Sequence, residues 1–68
     1  MKIRVNGEEK QIQTNNIISL NEALKSLGYS SNTIVVELNK IIINSDEWKD
    51  EYIKDGDNLE IVSIVGGG

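Results

Sequence analysis

Three glycines, Gly66, Gly67 and Gly68, close the chain behind the apolar run IVSIV. The chemistry they offer is that of a carboxylate carried on bare backbone. With a pKa near ~3.5 the terminal carboxyl is an anion at neutral pH and a poor acyl electrophile, so it must be activated before it can react. Conversion to an acyl-adenylate replaces the anionic oxygen with a leaving group, after which a sulfur or amine nucleophile can take the acyl carbon. Lacking Cβ atoms, a glycine tail extends by about 3.3–3.6 Å per residue through a slot too narrow for side chains. It can thus carry its carboxylate into a catalytic centre on another protein. Free in solution, such a tail is expected to be mobile, because glycine loses the most backbone freedom on ordering.

Little else in the chain can do chemistry. There is no histidine and no cysteine, which removes disulfides, thiolate metal sites, the commonest zinc ligands and the usual neutral-pH proton shuttle. No motif brings a lysine or carboxylate base to a serine or threonine. Asp46, Glu47, Asp50 and Glu51 form an acidic cluster that reads as a solvated helical face. In Asp55-Gly56-Asp57-Asn58 the glycine stands in the wrong place for a calcium loop of the EF-hand type, and the run reads as a turn with side-chain caps. Trp48 reads as a packing anchor rather than a stacking platform for a ligand. The expectation is therefore a chain with no catalytic residue, metal site or bound cofactor of its own.

The elements that would hold such a tail are legible in the hydrophobic pattern. Met1, Ile3 and Val5 alternate with polar residues, Asn6-Gly7 supplies the positive dihedrals of a tight turn, and EEKQIQ returns as a second strand. In SLNEALKSLG, Ser19 and Glu22 have capping-box spacing, Leu20, Ala23, Leu24 and Leu27 share one face, and Gly28 ends the helix. TIVVELN is a third strand with Ile34, Val36 and Leu38 on one face, and a turn at Asn39-Lys40 leads to a short strand over residues 41–43. After Ser45 a short helical turn is expected, with Trp48, Tyr52 and Ile53 as its apolar contacts. KDGD is a turn, and the last strand covers residues 59–65. The predicted order is strand, strand, helix, strand, strand, strand.

One helix across one face of a mixed sheet of four to five strands is an α+β arrangement. Placing the short apolar first and last strands side by side and parallel in the centre makes it a β-grasp, or ubiquitin-like, fold. The expected division is a domain over residues 1–65 and a flexible glycine tail over residues 66–68. Leu59 and Ile61 point to the core, which leaves Glu60, Val62 and Ile64 on the face away from the helix. Val35 joins them if its strand lies alongside, and Val35, Val62 and Ile64 are the candidate partner-binding residues.

Across its 68 residues the chain has no internal repeat, linker or proline, and its size is that of one small domain. Eleven acidic residues against seven basic ones give a net charge of -4, which leaves little to neutralise phosphates and disfavours nucleic acid as a partner. The N-terminal MKIRVNG begins no signal peptide or membrane span, so a cytoplasmic location is expected.

The pieces VNG, LNKIIINSDEW, IKDGDNLEIV and VGGG, in this order over essentially the whole chain, resemble the ThiS family, the sulfur carriers of thiamine biosynthesis. The DGD turn, a strand and a terminal Gly-Gly in series are shared with its molybdopterin-pathway relative, MoaD. The resemblance implies that the Gly68 carboxylate is adenylated with ATP and magnesium by a ThiF-like enzyme. A sulfur-donating enzyme then helps convert it to a thiocarboxylate, which delivers sulfur to a ThiG-like thiazole synthase. Gly67 and Gly68 would carry the function, with Gly66 extending the reach. The chain departs from the pattern in having a third glycine, and it lacks the proline that usually precedes the glycines in MoaD-like tails, which tilts the resemblance toward the thiamine branch. Two other classes remain open: a ubiquitin-like modifier joined through Gly68 to lysines of targets, and a binding module with an incidental tail.

Overall fold

The computed structural model describes residues 1–13, 17–29 and 33–64. Strand β1 (Lys2–Val5) and strand β2 (Glu8–Gln11) form an antiparallel hairpin in register Lys2 to Gln11 through Val5 to Glu8. The turn between them places Asn6 at φ 52° and Gly7 at φ 84°, the double left-handed geometry that matches the twist of the flanking strands. Strand β3 (Ile17–Ser19) runs directly into helix α1 (Leu20–Ser26). Ser19 Oγ accepts the Glu22 backbone N–H at 3.1 Å, and Gly28 at φ 93° lets its N–H reach Lys25 O, so both ends of the helix are satisfied as its sequence predicts.

Strand β4 (Ile34–Leu38) turns through Asn39 and Lys40, both left-handed, into strand β5 (Ile41–Ile43). A single 3-10 turn over Ser45–Glu47 precedes strand β6 (Tyr52–Lys54) and strand β7 (Asn58–Ser63). The main sheet has the order β2-β1-β7-β4-β5. β7 lies parallel to β1 and antiparallel to β4, so the first and last strands are central neighbours. This is the β-grasp arrangement, with five strands.

Two expectations are corrected. A second, two-stranded sheet pairs β3 with β6, Ile18 opposite Ile53, where the sequence pattern showed no strand on either side. Tyr52 is therefore not an apolar contact of the helical turn. It alternates outward on β6 and is 55% exposed, while its neighbour Ile53 is fully buried. The predicted end of the last strand at Val65 lies outside the described residues.

The core gathers Ile3, Val5, Leu59, Ile61, Val36 and Leu38 from one face of the sheet against Leu20, Ala23 and Leu24 of α1. Trp48 and Ile53 belong to the same buried cluster. Trp48 is buried and donates Nε1–H to Ile43 O at 3.0 Å, which fits the packing role expected of it and satisfies a carbonyl on the sheet's last strand. The helix start is docked on the same segment: Leu20 N–H donates to Glu51 O and Asn21 N–H to Trp48 O. Those bonds use two of the amides that a helix leaves unpaired at its N-terminus.

Candidate functional site

The route to the C-terminus is built by β7 and fixed from both sides. On one side the Asn6 side chain acts as an added residue of β1, accepting Ile61 N–H through Oδ1 at 2.7 Å and donating Nδ2–H to Ile61 O at 3.1 Å. The parallel β1–β7 ladder, whose register runs Arg4 to Asn58 and Val5 to Leu59, is thereby extended past the end of β1. On the other side β4 covers β7 from Leu38 opposite Leu59 to Ile34 opposite Ser63, and Ile64 N–H donates to Thr33 O at 2.6 Å. The chain is thus held one residue past β7, to the last described residue, Ile64, which precedes Gly68 by four positions.

The start of β7 is anchored by the turn expected at KDGD. Asp57 is buried and accepts Lys54 N–H at 2.9 Å and Asn39 Nδ2–H at 3.1 Å, with Lys54 Nζ at 3.5 Å. Asn39 Oδ1 accepts Asn58 N–H, and Asp55 accepts Lys2 N–H at 2.7 Å. These carboxylates serve as structural acceptors, which accounts for their order in the sequence better than a cation loop does. Among the described residues no group of three or more His, Cys, Asp or Glu could hold a metal ion.

Beside β7 lies the outer face of the sheet, opposite α1. Val62 is 61% exposed and Ile64 50%, and Val35 is half-buried directly across from Val62. The register therefore brings Val35 to Val62, as the candidate partner face requires. Sequence reasoning missed Ile42, 61% exposed on β5 opposite Glu37, which widens the apolar area on the same side. Its signal was the run Ile41-Ile42-Ile43, once the β4–β5 register is known. The other end of this face is charged, with Lys2 and Arg4 on β1 and Glu9 on β2, Lys2 pairing with Glu9 at 3.5 Å. Gly66, Gly67 and Gly68 lie outside the described residues. No helix among the described residues is long and apolar enough to cross a membrane.

Comparison with known proteins bears on this geometry. The model of the ThiS family matches residues 3–68. The crystal structure of a thiamine biosynthesis protein (ThiS) from Geobacter metallireducens superposes with a TM-score of 0.87 at 28% identity, covering 100% of both chains. A protein of Trieres chinensis named "Uncharacterized protein ycf40" is 39% identical over 64 residues, covering 94% of this chain and 85% of its own length. A thiazole synthase of Paramagnetospirillum magneticum is 35% identical over all 68 residues, and there the chain spans only 20% of the larger protein.

Proposed function

From the premise that this chain belongs to the ThiS family, we propose that it is a sulfur carrier whose own C-terminal carboxylate, on Gly68, is the reacting group. A carboxylate oxygen attacks the α-phosphorus of ATP on a ThiF-like enzyme and releases pyrophosphate, with magnesium held by that enzyme. Hydrosulfide supplied by a donor enzyme then adds to the acyl carbon and expels AMP, leaving a thiocarboxylate. The chain is a protein cosubstrate in these steps. Its part is to hold β7 and the following Ile64 in the sheet and to present Gly66, Gly67 and Gly68 without side chains.

Thiazole formation in thiamine biosynthesis is the destination this reading favours. The single observation that carries it is the 20% segment of a thiazole synthase that matches this chain from end to end. A carrier segment within such a protein would work at a high effective concentration toward the rest of it. A ThiG-like thiazole synthase is accordingly the acceptor proposed here, and sulfur delivery to molybdopterin is the second reading. Val35, Val62 and Ile64 form the docking surface for the adenylating enzyme: they are apolar, they lie on the face that α1 leaves free, and they adjoin the last residues before the tail.

The test is mass spectrometry of the chain recovered from cells that make thiamine. The expected species carries one sulfur in place of one oxygen, localised by fragmentation to Gly68. Removal of Gly67 and Gly68 is expected to abolish adenylation and leave the fold intact. Adenylation of the shortened chain at the normal rate contradicts the proposal.

A further inference from the structure

The main sheet ends in two edge strands of opposite character. On β2 the residues are Glu8, Glu9, Lys10 and Gln11, all exposed, the charged rim by which folded proteins keep a sheet from pairing with another chain. The other edge, β5, is Ile41-Ile42-Ile43, with no strand beyond it among the described residues. Ile42 stands on the outer face opposite Glu37, and Ile41 stands on the helix face opposite Leu38, 66% exposed. This edge is therefore apolar on both faces.

Its backbone is open as well. The two-residue turn at Asn39 and Lys40 makes Leu38 and Ile41 the closing hydrogen-bonded pair of the β4–β5 hairpin. Bonded and non-bonded pairs alternate, so Val36 and Ile43 bond to each other in turn, while Ile42 directs its N–H and C=O away from β4.

The segment that fits this edge is a second β5. In an antiparallel pair about a two-fold axis at Ile42, the two Ile42 residues meet on the outer face and exchange both backbone bonds. On the helix face the exposed Ile41 of each copy covers the half-buried Ile43 of the other. The ends match in charge. Lys40 precedes the strand, and Asp46 and Glu47 follow it on the 3-10 turn. The ion pairs among the described residues are Lys2–Glu9, Lys10–Glu8 and Lys54–Asp57, so these three charges are uncommitted. Antiparallel pairing lays each Lys40 at the acidic end of the other copy, whereas parallel pairing would set Lys40 beside Lys40.

We infer that β5 is a self-pairing edge, through which two copies of this chain join their five-stranded sheets into one. The axis is perpendicular to the sheet, so both outer faces stay on one side. The two β7 strands run in opposite directions about 24 Å apart, with β4 and β5 of each copy between them. The two Ile64 residues thus lie toward opposite ends of the joined sheet, which leaves each route to the C-terminus open. The inference stands apart from the carrier reading. Three residues a side make a contact of the weak class, under about 1,200 Å².

Sedimentation equilibrium of the full chain from about 10 μM to about 1 mM tests it, the span in which so small a contact associates. The wild type is expected to pass from monomer to dimer, with amide hydrogen exchange at Ile42 slowing as the dimer forms. Ile42→Lys sets two ammonium groups against each other across the axis and is expected to weaken association at least ~10-fold, with an unchanged circular dichroism spectrum. Lys40→Glu is expected to weaken it about 5-fold, since symmetry doubles each charge contact. Adding Asp46→Lys and Glu47→Lys to that variant is expected to restore it. Gln11→Lys, on the other edge, is expected to change nothing. A chain still monomeric at the highest concentration overturns the inference, as does a dimer that survives Ile42→Lys. Concentration-dependent NMR shifts centred on Val35 and Val62 and absent at Ile42 overturn it too, because the contact is then the outer face. If the chain is monomeric and Ile42→Lys blocks its adenylation, the edge serves the adenylating enzyme; the inference then falls and the carrier reading stands.

Discussion

Replacing Asn6 tests how β7 is held, since this one side chain bonds both backbone groups of Ile61, at 2.7 and 3.1 Å, from a left-handed turn position at φ 52°. Each bond contributes about 1 kcal/mol net, and Ile61 is buried, so its amide finds no ready substitute in water. Asn6→Gly keeps the turn conformation and loses the bonds, which gives a cost of roughly 2 kcal/mol. Asn6→Ala loses the bonds and adds the left-handed penalty of about 1 kcal/mol, for roughly 3 kcal/mol in all. Asn6→Asp puts an oxygen against Ile61 O and is expected to fall between wild type and alanine. A domain of this size has only about 3–5 kcal/mol to lose, so Asn6→Ala should lie near the edge of folding at room temperature. Urea unfolding followed by Trp48 fluorescence measures the series, and in a thermal melt the glycine variant is expected roughly 8–16 °C below wild type. If the glycine and alanine variants both lie within about 0.5 kcal/mol of wild type, the side chain does not tie β7 to the hairpin and the reasoning fails.

Gly28→Ala is expected to cost about 1 kcal/mol from its φ of 93° alone, because a Cβ there would meet nothing within 4 Å; a chemical denaturation curve checks it, and Gly28→Asn should recover part of the loss. Trp48→Phe removes the Nε1–H bond to Ile43 O but keeps most of the buried ring, so a loss of roughly 1–2 kcal/mol is expected in the same assay. Asp57→Ala strips acceptors from Lys54 N–H and Asn39 Nδ2–H in a buried turn; a loss of about 2–3 kcal/mol is expected, with faster amide hydrogen exchange at Lys54 as the local readout.

The features legible in the sequence were those set by near neighbours in the chain. Asn6-Gly7, Ser19 with Glu22, Gly28 and the alternation of Ile34, Val36 and Leu38 each declare a local geometry, and each is found in place. The small sheet was not legible, because Ile17–Ser19 and Tyr52–Lys54 are three residues each and pair across more than thirty positions. In so short a strand the outward turn of Tyr52 leaves no periodic trace. Asn6 was read for its backbone alone; that its side chain would complete a ladder with Ile61 depends on a parallel register that no local pattern encodes. The outer face was half legible. Strand parity gave Val62 and Ile64, whereas the opposition of Glu37 to Glu60 and the place of Ile42 required the register of β4 with both its neighbours.

The central claim, that the chain reacts through its last carboxyl, is tested most directly by a semisynthetic protein identical except that Gly68 ends in a primary amide. Incubated with the adenylating enzyme, ATP, the sulfur donor and thiazole synthase, the amidated chain is expected to fold like wild type, form no acyl-adenylate and deliver no sulfur to thiazole. Thiazole formed at the wild-type rate by the blocked chain would contradict the account.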